Sequence, residues 1–165
     1  MDPVHFSGKE VLTMAVRIEE NGMRFYTEAS KAAKSDSLKE LFKVLAEEEA
    51  HHIKVFSELR SLVAEDTVNE GFDPQLSEAS LYLKSIADTE VFTKPDKGKE
   101  FARRVHDEKE ALKIAIDMEK DSLLFYYELQ RLIRAKDKAV IESLIEQEKE
   151  HVRKLTEAQT SLYGA

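Results

Sequence analysis

The sequence predicts an all-α fold: an antiparallel four-helix bundle made of two helical hairpins. Three observations predict it. The 165 residues hold five Gly, three Pro and no Trp, and 35% of them are charged. A mixture rich in Glu, Lys, Leu and Ala favours helix. Four long segments carry apolar residues at helical spacing. The second half of the chain also echoes the first at an offset of 99 to 100 residues.

The first helix is expected from about Ser7 to Lys34. Ser7-Gly8-Lys9-Glu10 reads as a capping box, and Leu12, Ala15, Gly22, Tyr26, Ala29 and Ala33 form its stripe. Ser35-Asp36-Ser37 interrupts it, and Ser37 with Glu40 is expected to cap the second helix. That helix is striped by Leu38, Leu41, Leu45, Phe56, Leu59 and Val63. Asp107 and Glu110 cap the third, with Leu112, Ala115, Leu123, Tyr126 and Ile133 on one face. A turn at Ala135-Lys136-Asp137 leads to the fourth, striped by Ile141, Leu144, Leu155, Ala158 and Leu162. Helices of this length run roughly 40 Å, and short turns make each pair an antiparallel hairpin.

The chain therefore reads as one domain, residues 1–165, with hairpins at about 7–63 and 107–162 and a crossover at about 64–106. The crossover holds Gly71, Pro74, Pro95 and Gly98. It is longer than the roughly dozen extended residues that would span a helix. Short helices are expected within it over Leu76–Phe92 and Lys99–Val105.

Composition excludes much. The absence of Cys removes disulfides, thiolate zinc sites, iron–sulfur clusters and Cys nucleophiles. A net charge of -8 argues against nucleic acid as a partner. No apolar stretch approaches the roughly 18 residues of a bilayer span. The N-terminus has neither the basic nor the apolar region of a signal peptide, so a cytoplasmic location is expected, with no membrane partner.

The repeat is strictest where it is most costly. Ala15-Val16-Arg17-Ile18-Glu19 matches Ala115-Ile116-Asp117-Met118-Glu119, and Phe25-Tyr26 matches Phe125-Tyr126. Leu45, Glu47, Glu49, His52 and Ile53 match Leu144, Glu146, Glu148, His151 and Val152. Glu19, Glu49, His52, Glu119, Glu148 and His151 all interrupt apolar stripes. Roughly 0.7 Glu-x-x-His matches arise by chance in this composition, so a lone one means little. The duplicated pair, with a matching Glu on each partner helix, means more. The third match, Glu48 to His51, lies one residue round the helix and reads as a solvated face.

Four ionised carboxylates in one dry core repel each other and are poorly solvated. Either some protonate or cations sit among them. Two divalent ions would balance four carboxylates, and oxygen-rich ligation with one imidazole per metal suits iron or manganese, with zinc able to compete.

At these residues the sequence resembles the ferritin-like di-iron carboxylate proteins, whose signature is one Glu from each of two helices and Glu-x-x-His from each of two others. Within them it is most similar to the rubrerythrin branch, through Ile18-Glu19-Glu20 leading to Phe25-Tyr26 and through Leu45 to His52. The resemblance implies a ferritin-like bundle holding two iron ions. Glu19 and Glu119 would be terminal carboxylates, His52 and His151 terminal imidazoles, and Glu49 and Glu148 bridges. It further implies reduction of peroxide or dioxygen, or oxidation of ferrous iron.

There are departures. Rubrerythrins carry a Cys-bound iron in a rubredoxin domain; this chain has no Cys, so an external electron-donor protein is expected. An extra glutamate usual on their third helix is replaced by Ser122. The residues after Leu162 are too few for the short fifth helix of storage ferritins. Tyr26 and Tyr126 lie on the ligand face, two turns on, where core packing and hydrogen bonding to ligand carboxylates both remain open. His5, His106, Glu47 and Glu146 read as surface residues.

Two other classes compete with the oxidoreductase reading. One is iron storage or carriage in a larger shell, where an enzyme needs only a monomer or homodimer. The other is a metal-free helical interaction module, in which the six polar residues satisfy one another.

Overall fold

The structure is a computed structural model, and it describes residues 8–63, 82–83, 85, 95–133 and 135–164. Four long helices carry it: α1 Gly8–Ala32, α2 Asp36–Leu62, α4 Glu108–Leu132 and α5 Lys138–Tyr163. A shorter helix, α3 Lys97–Arg104, precedes α4, and a 3-10 turn at Ala135–Asp137 joins α4 to α5. The expected helix over Leu76–Phe92 lies mostly outside the described residues, as does the Ser7 cap; the expected helix at Lys99–Val105 is α3.

The turns form where short polar side chains satisfy the free N–H groups of helix starts. Asp107 accepts from Glu110 N at 2.8 Å, and Glu110 Oε2 accepts from His106 N at 2.9 Å, completing the expected cap of α4. The cap of α2 is Ser35 rather than Ser37. Ser35 has extended backbone (φ -75, ψ 126) and its hydroxyl accepts from Leu38 N, so the helix already begins at Asp36. Ser37 sits inside the first turn, with its hydroxyl 2.8 Å from that of Ser35. Glu108 ties the hairpins together, its Oε1 accepting from Lys34 N and Ser35 N at 2.5 and 2.7 Å.

The striped residues are buried with few exceptions. Leu162 is one: it lies in the last turn of α5 and is 42% exposed, beyond the reach of the core. The interior divides into two apolar clusters. One gathers Val11, Leu12 and Ala15 of α1, Phe56 and Leu59 of α2, Phe125 and Leu129 of α4, and Ile141 and Leu144 of α5. The other gathers Phe25 and Ala29 of α1, Leu38, Phe42 and Leu45 of α2, Leu112 and Ala115 of α4, and Leu155 of α5. The start of α1 thus meets the end of α2 and of α4, as an antiparallel bundle requires. Between the clusters lies a polar layer.

α3 packs against α1. A Cβ at Gly98 would lie 1.8 Å from Asn21 O, so only glycine permits this approach. The Gly98 amide donates to buried Asn21 Oδ1 at 3.3 Å, and Arg24 pairs with Asp96 at 2.6 Å.

Candidate metal centre

The polar layer holds all six stripe-interrupting residues. Glu19 comes from α1, Glu49 and His52 from α2, Glu119 from α4, and Glu148 and His151 from α5. None is more than 4% exposed. A spacing of three residues puts Glu49 above His52, and Glu148 above His151, on one face of their helices.

Their donor atoms converge into two overlapping sets. Glu19, Glu49, His52 and Glu148 form one; Glu49, Glu119, Glu148 and His151 form the other, and within each the atoms lie within 4.8 Å of one another. Glu49 and Glu148 belong to both. Each imidazole turns Nδ1 inward. His52 Nδ1 is 2.8 Å from Glu148 Oε1 and 3.3 Å from Glu19 Oε2; His151 Nδ1 is 3.0 Å from Glu148 Oε2 and 3.3 Å from both Glu49 Oε1 and Glu119 Oε1. The rings lie nearly parallel, their centroids 5.5 Å apart.

Close approach is not the same as satisfaction. Both carboxylate oxygens of Glu148 and Nδ1 of His151 are buried without a well-directed hydrogen bond. Such groups are costly in a dry interior. Oxygen and nitrogen atoms that point at a common centre, rather than along each other's N–H vectors, are what a shared cation needs. The residues fit a pair of divalent ions.

Without cations, the layer must balance itself with protons. Burial, reinforced by the charges of Glu49 and Glu148, pushes the Glu19 carboxyl well above the usual range, and Glu119 rises for the same reasons. Burial also pushes Glu49 up, but hydrogen bonding from Glu19, His151 and His52 outweighs it and holds Glu49 low. Burial would lower both imidazoles; the surrounding carboxylates outweigh it and raise His52 and His151. Without cations, protons are thus favoured on the terminal carboxyls and the imidazoles and disfavoured on the two shared carboxylates.

The surroundings hold these groups in place. Tyr26 donates to Glu119 Oε1, and Tyr126 donates to Glu19 Oε1. Each tyrosine is also core, Tyr26 stacked on Phe42 and Tyr126 against Phe56, so both sequence-based alternatives hold at once. A Cβ at Gly22 would come within 3.3 Å of Glu49 Cδ, so the glycine makes room for that carboxylate. Ile18, Gly22, Tyr26, Glu49, Met118, Glu119 and Ser122 line a small cavity there, with room for about one water-sized molecule.

Two neighbours of the site were not evident from the stripes. His52 Nε2 meets Gln147 Oε1 at 3.1 Å, and His151 Nε2 meets Glu48 Oε2 at 3.1 Å. Glu48 and Gln147 occupy matching places in the repeat, each just before a shared glutamate; that offset was the available signal. The surface residues fall as expected: His51, Glu47, His106 and Glu146 are exposed, and His5 lies outside the described residues. Among the described residues no helix is long and apolar enough to cross a membrane.

A family model described as rubrerythrin matches residues 10–90 and 76–159, nearly the whole chain. A Thermotoga maritima protein, described from its crystal structure as a candidate ferritin-like diiron-carboxylate protein, is 33% identical. The match covers 94% of this chain and 95% of that one, with a TM-score of 0.70. No curated protein matches.

Proposed function

The chain belongs to the rubrerythrin family, and from that premise we propose that its polar layer is the dinuclear iron centre of an oxidoreductase. The substrate is peroxide or dioxygen, or ferrous iron itself. The observation that carries the reading is the pair of four-residue donor sets sharing Glu49 and Glu148. Two donor sets with two common carboxylates would hold two ions side by side rather than far apart. Manganese or zinc could occupy the same donors, which hold no thiolate to select against them.

Held there, two ferrous ions would supply two electrons, the number that reduces peroxide to water. The chain's own residues do the rest. Four carboxylates offset the charge of two divalent ions. Glu49 and Glu148 would serve both ions, and Glu19 with His52 and Glu119 with His151 would each serve one. The hydroxyls of Tyr26 and Tyr126 hold a proton against Glu119 Oε1 and Glu19 Oε1. Apolar clusters on both sides keep bulk water out. The small cavity beside Glu49 and Glu119 leaves room for about one water-sized molecule next to the centre. Turnover of peroxide or dioxygen would draw its reducing equivalents from an external electron-donor protein.

The test is single-turnover oxidation. Protein loaded anaerobically with ferrous iron is mixed with peroxide or with dioxygen, and iron oxidation is followed optically. One peroxide per pair of irons is the expected stoichiometry for peroxide reduction; faster reaction with dioxygen assigns ferrous oxidation. No reaction with either would overturn the oxidoreductase reading. A native mass near that of a monomer or dimer fits an enzyme, whereas a closed shell would move the reading to storage.

A further inference from the structure

The two halves of the site match in every donor residue but differ one step outward. A neutral imidazole that offers Nδ1 to a cation must carry its proton on Nε2, so the acceptor facing Nε2 sets how strongly the ring donates. For His52 that acceptor is an amide. Gln147 Nε2 donates to Ser143 O and Oγ at 3.2 and 3.3 Å, which leaves Oε1 facing the ring at 3.1 Å. For His151 it is the Glu48 carboxylate, also at 3.1 Å. A charged acceptor pulls harder on the N–H proton than a neutral one and makes the ring a stronger ligand. Lys154, 3.3 Å from both Glu48 oxygens, orients that carboxylate and takes part of its charge. The Glu48 side chain is 38% exposed, which trims the effect without removing it.

We propose that Glu48 and Gln147 are positioning residues that make the centre unequal, so that the Glu119–His151 half binds a divalent ion more tightly than the Glu19–His52 half. Loading is then ordered: the ion beside His151 enters first. The inference rests on the dinuclear reading above, but it concerns residues outside the donor set and does not depend on which oxidant is turned over.

The test uses cobalt(II) alone, titrated anaerobically into the metal-free full chain and followed by visible absorption and calorimetry. The wild type is expected to bind two ions in resolved steps about tenfold apart, the lower end of what removing such a partner costs in affinity. E48Q should weaken the tighter step about tenfold and leave the other in place, merging the two. Q147E should tighten the weaker step. In the exchanged variant E48Q/Q147E the steps should separate again in the opposite order, so that E19Q, rather than E119Q, removes the tighter one. A purely structural role for these half-exposed residues would not produce that reversal. Two equal steps in the wild type, or an E48Q variant whose steps both move together or not at all, would overturn the inference and leave the dinuclear centre standing. Failure of the wild type to bind any cobalt would overturn both. Should E48Q fold poorly, Q147E on the exposed side of α5 decides alone: a weaker step that stays put counts against the proposal.

Discussion

The two hairpins, α1–α2 and α4–α5, are copies at the centre and strangers at the periphery. Glu19, Glu49 and His52 find their equivalents in Glu119, Glu148 and His151, and even the tyrosines cross over symmetrically to the opposite glutamate. Their neighbours differ. Gly22 makes room for Glu49, whereas its counterpart Ser122 turns its hydroxyl back to Met118 O at 3.1 Å. Asn21 is buried against α3, whereas its counterpart Asp121 is half-buried, its carboxyl raised by that burial and by the charge of Asp117. Groups that set the charge balance of the core had to stay paired; groups that only support them were free to diverge. The difference separates what the centre needs from what each hairpin needs to fold.

Replacing a shared carboxylate should break the comparison most severely. Glu49→Leu serves both donor sets, so it should abolish uptake of both ions rather than one. The metal-free protein should also lose stability, by about 3–5 kcal/mol, because the buried imidazoles that Glu49 faces are left without that charge. Metal analysis and a denaturant midpoint on the same preparation read both effects. A variant that keeps its metal would contradict the assignment of Glu49.

The next effect belongs to the first hairpin alone. Gly98→Ala places a methyl group against the backbone of Asn21, so α3 must move off α1 or α1 must bend, at a cost of about 2–3 kcal/mol. Hydrogen exchange should locate the loosening in α1 and α3 and leave α4 and α5 unchanged. Equal loosening of both hairpins would mean that α3 does not act as a clamp on one of them.

Tyr26→Phe and Tyr126→Phe sharpen the symmetric side. Each leaves one buried terminal carboxyl without its donor, so each should cost about 1–3 kcal/mol of metal-free stability, and the two costs should agree. A smaller contrast comes one turn earlier. Ser122→Ala should change stability by no more than about 0.5 kcal/mol, since its hydroxyl serves only a helix carbonyl that is already bonded. Gly22→Ala should instead press on Glu49 and weaken metal uptake, despite the better helix propensity of alanine.

Protons and cations compete for the same donors, which gives the pH dependence its sign. The metal-free layer holds protons on Glu19, Glu119 and both imidazoles well above their ordinary ranges. Binding of cations must displace them, so uptake should release protons and weaken as pH falls. Calorimetry in buffers of different ionisation enthalpy counts the protons released.

Much of this centre was legible in the sequence because its residues violate a rule. A glutamate between Ala15 and Gly22, or between Ala115 and Leu123, is conspicuous on an apolar stripe, and the repeat says that the violation is deliberate. The same stripes placed the four helices and the hairpin turns. What stayed hidden depends on distances across the bundle. The tyrosine hydroxyls reach the opposite hairpin, a relation that spacing along one helix does not encode. Glu48 and Gln147 look like solvated residues until the register of α2 against α5 puts each beside the other's histidine. The choice of Ser35 over Ser37 as cap turned on one extended residue in a run where both serines are eligible.

Metal content per chain tests the central claim most directly. Protein purified without added metal or chelator, then offered ferrous iron anaerobically, should hold close to two iron atoms per chain. A content near zero, with no uptake of the offered iron, would contradict the account and leave six buried polar residues as a purely structural layer.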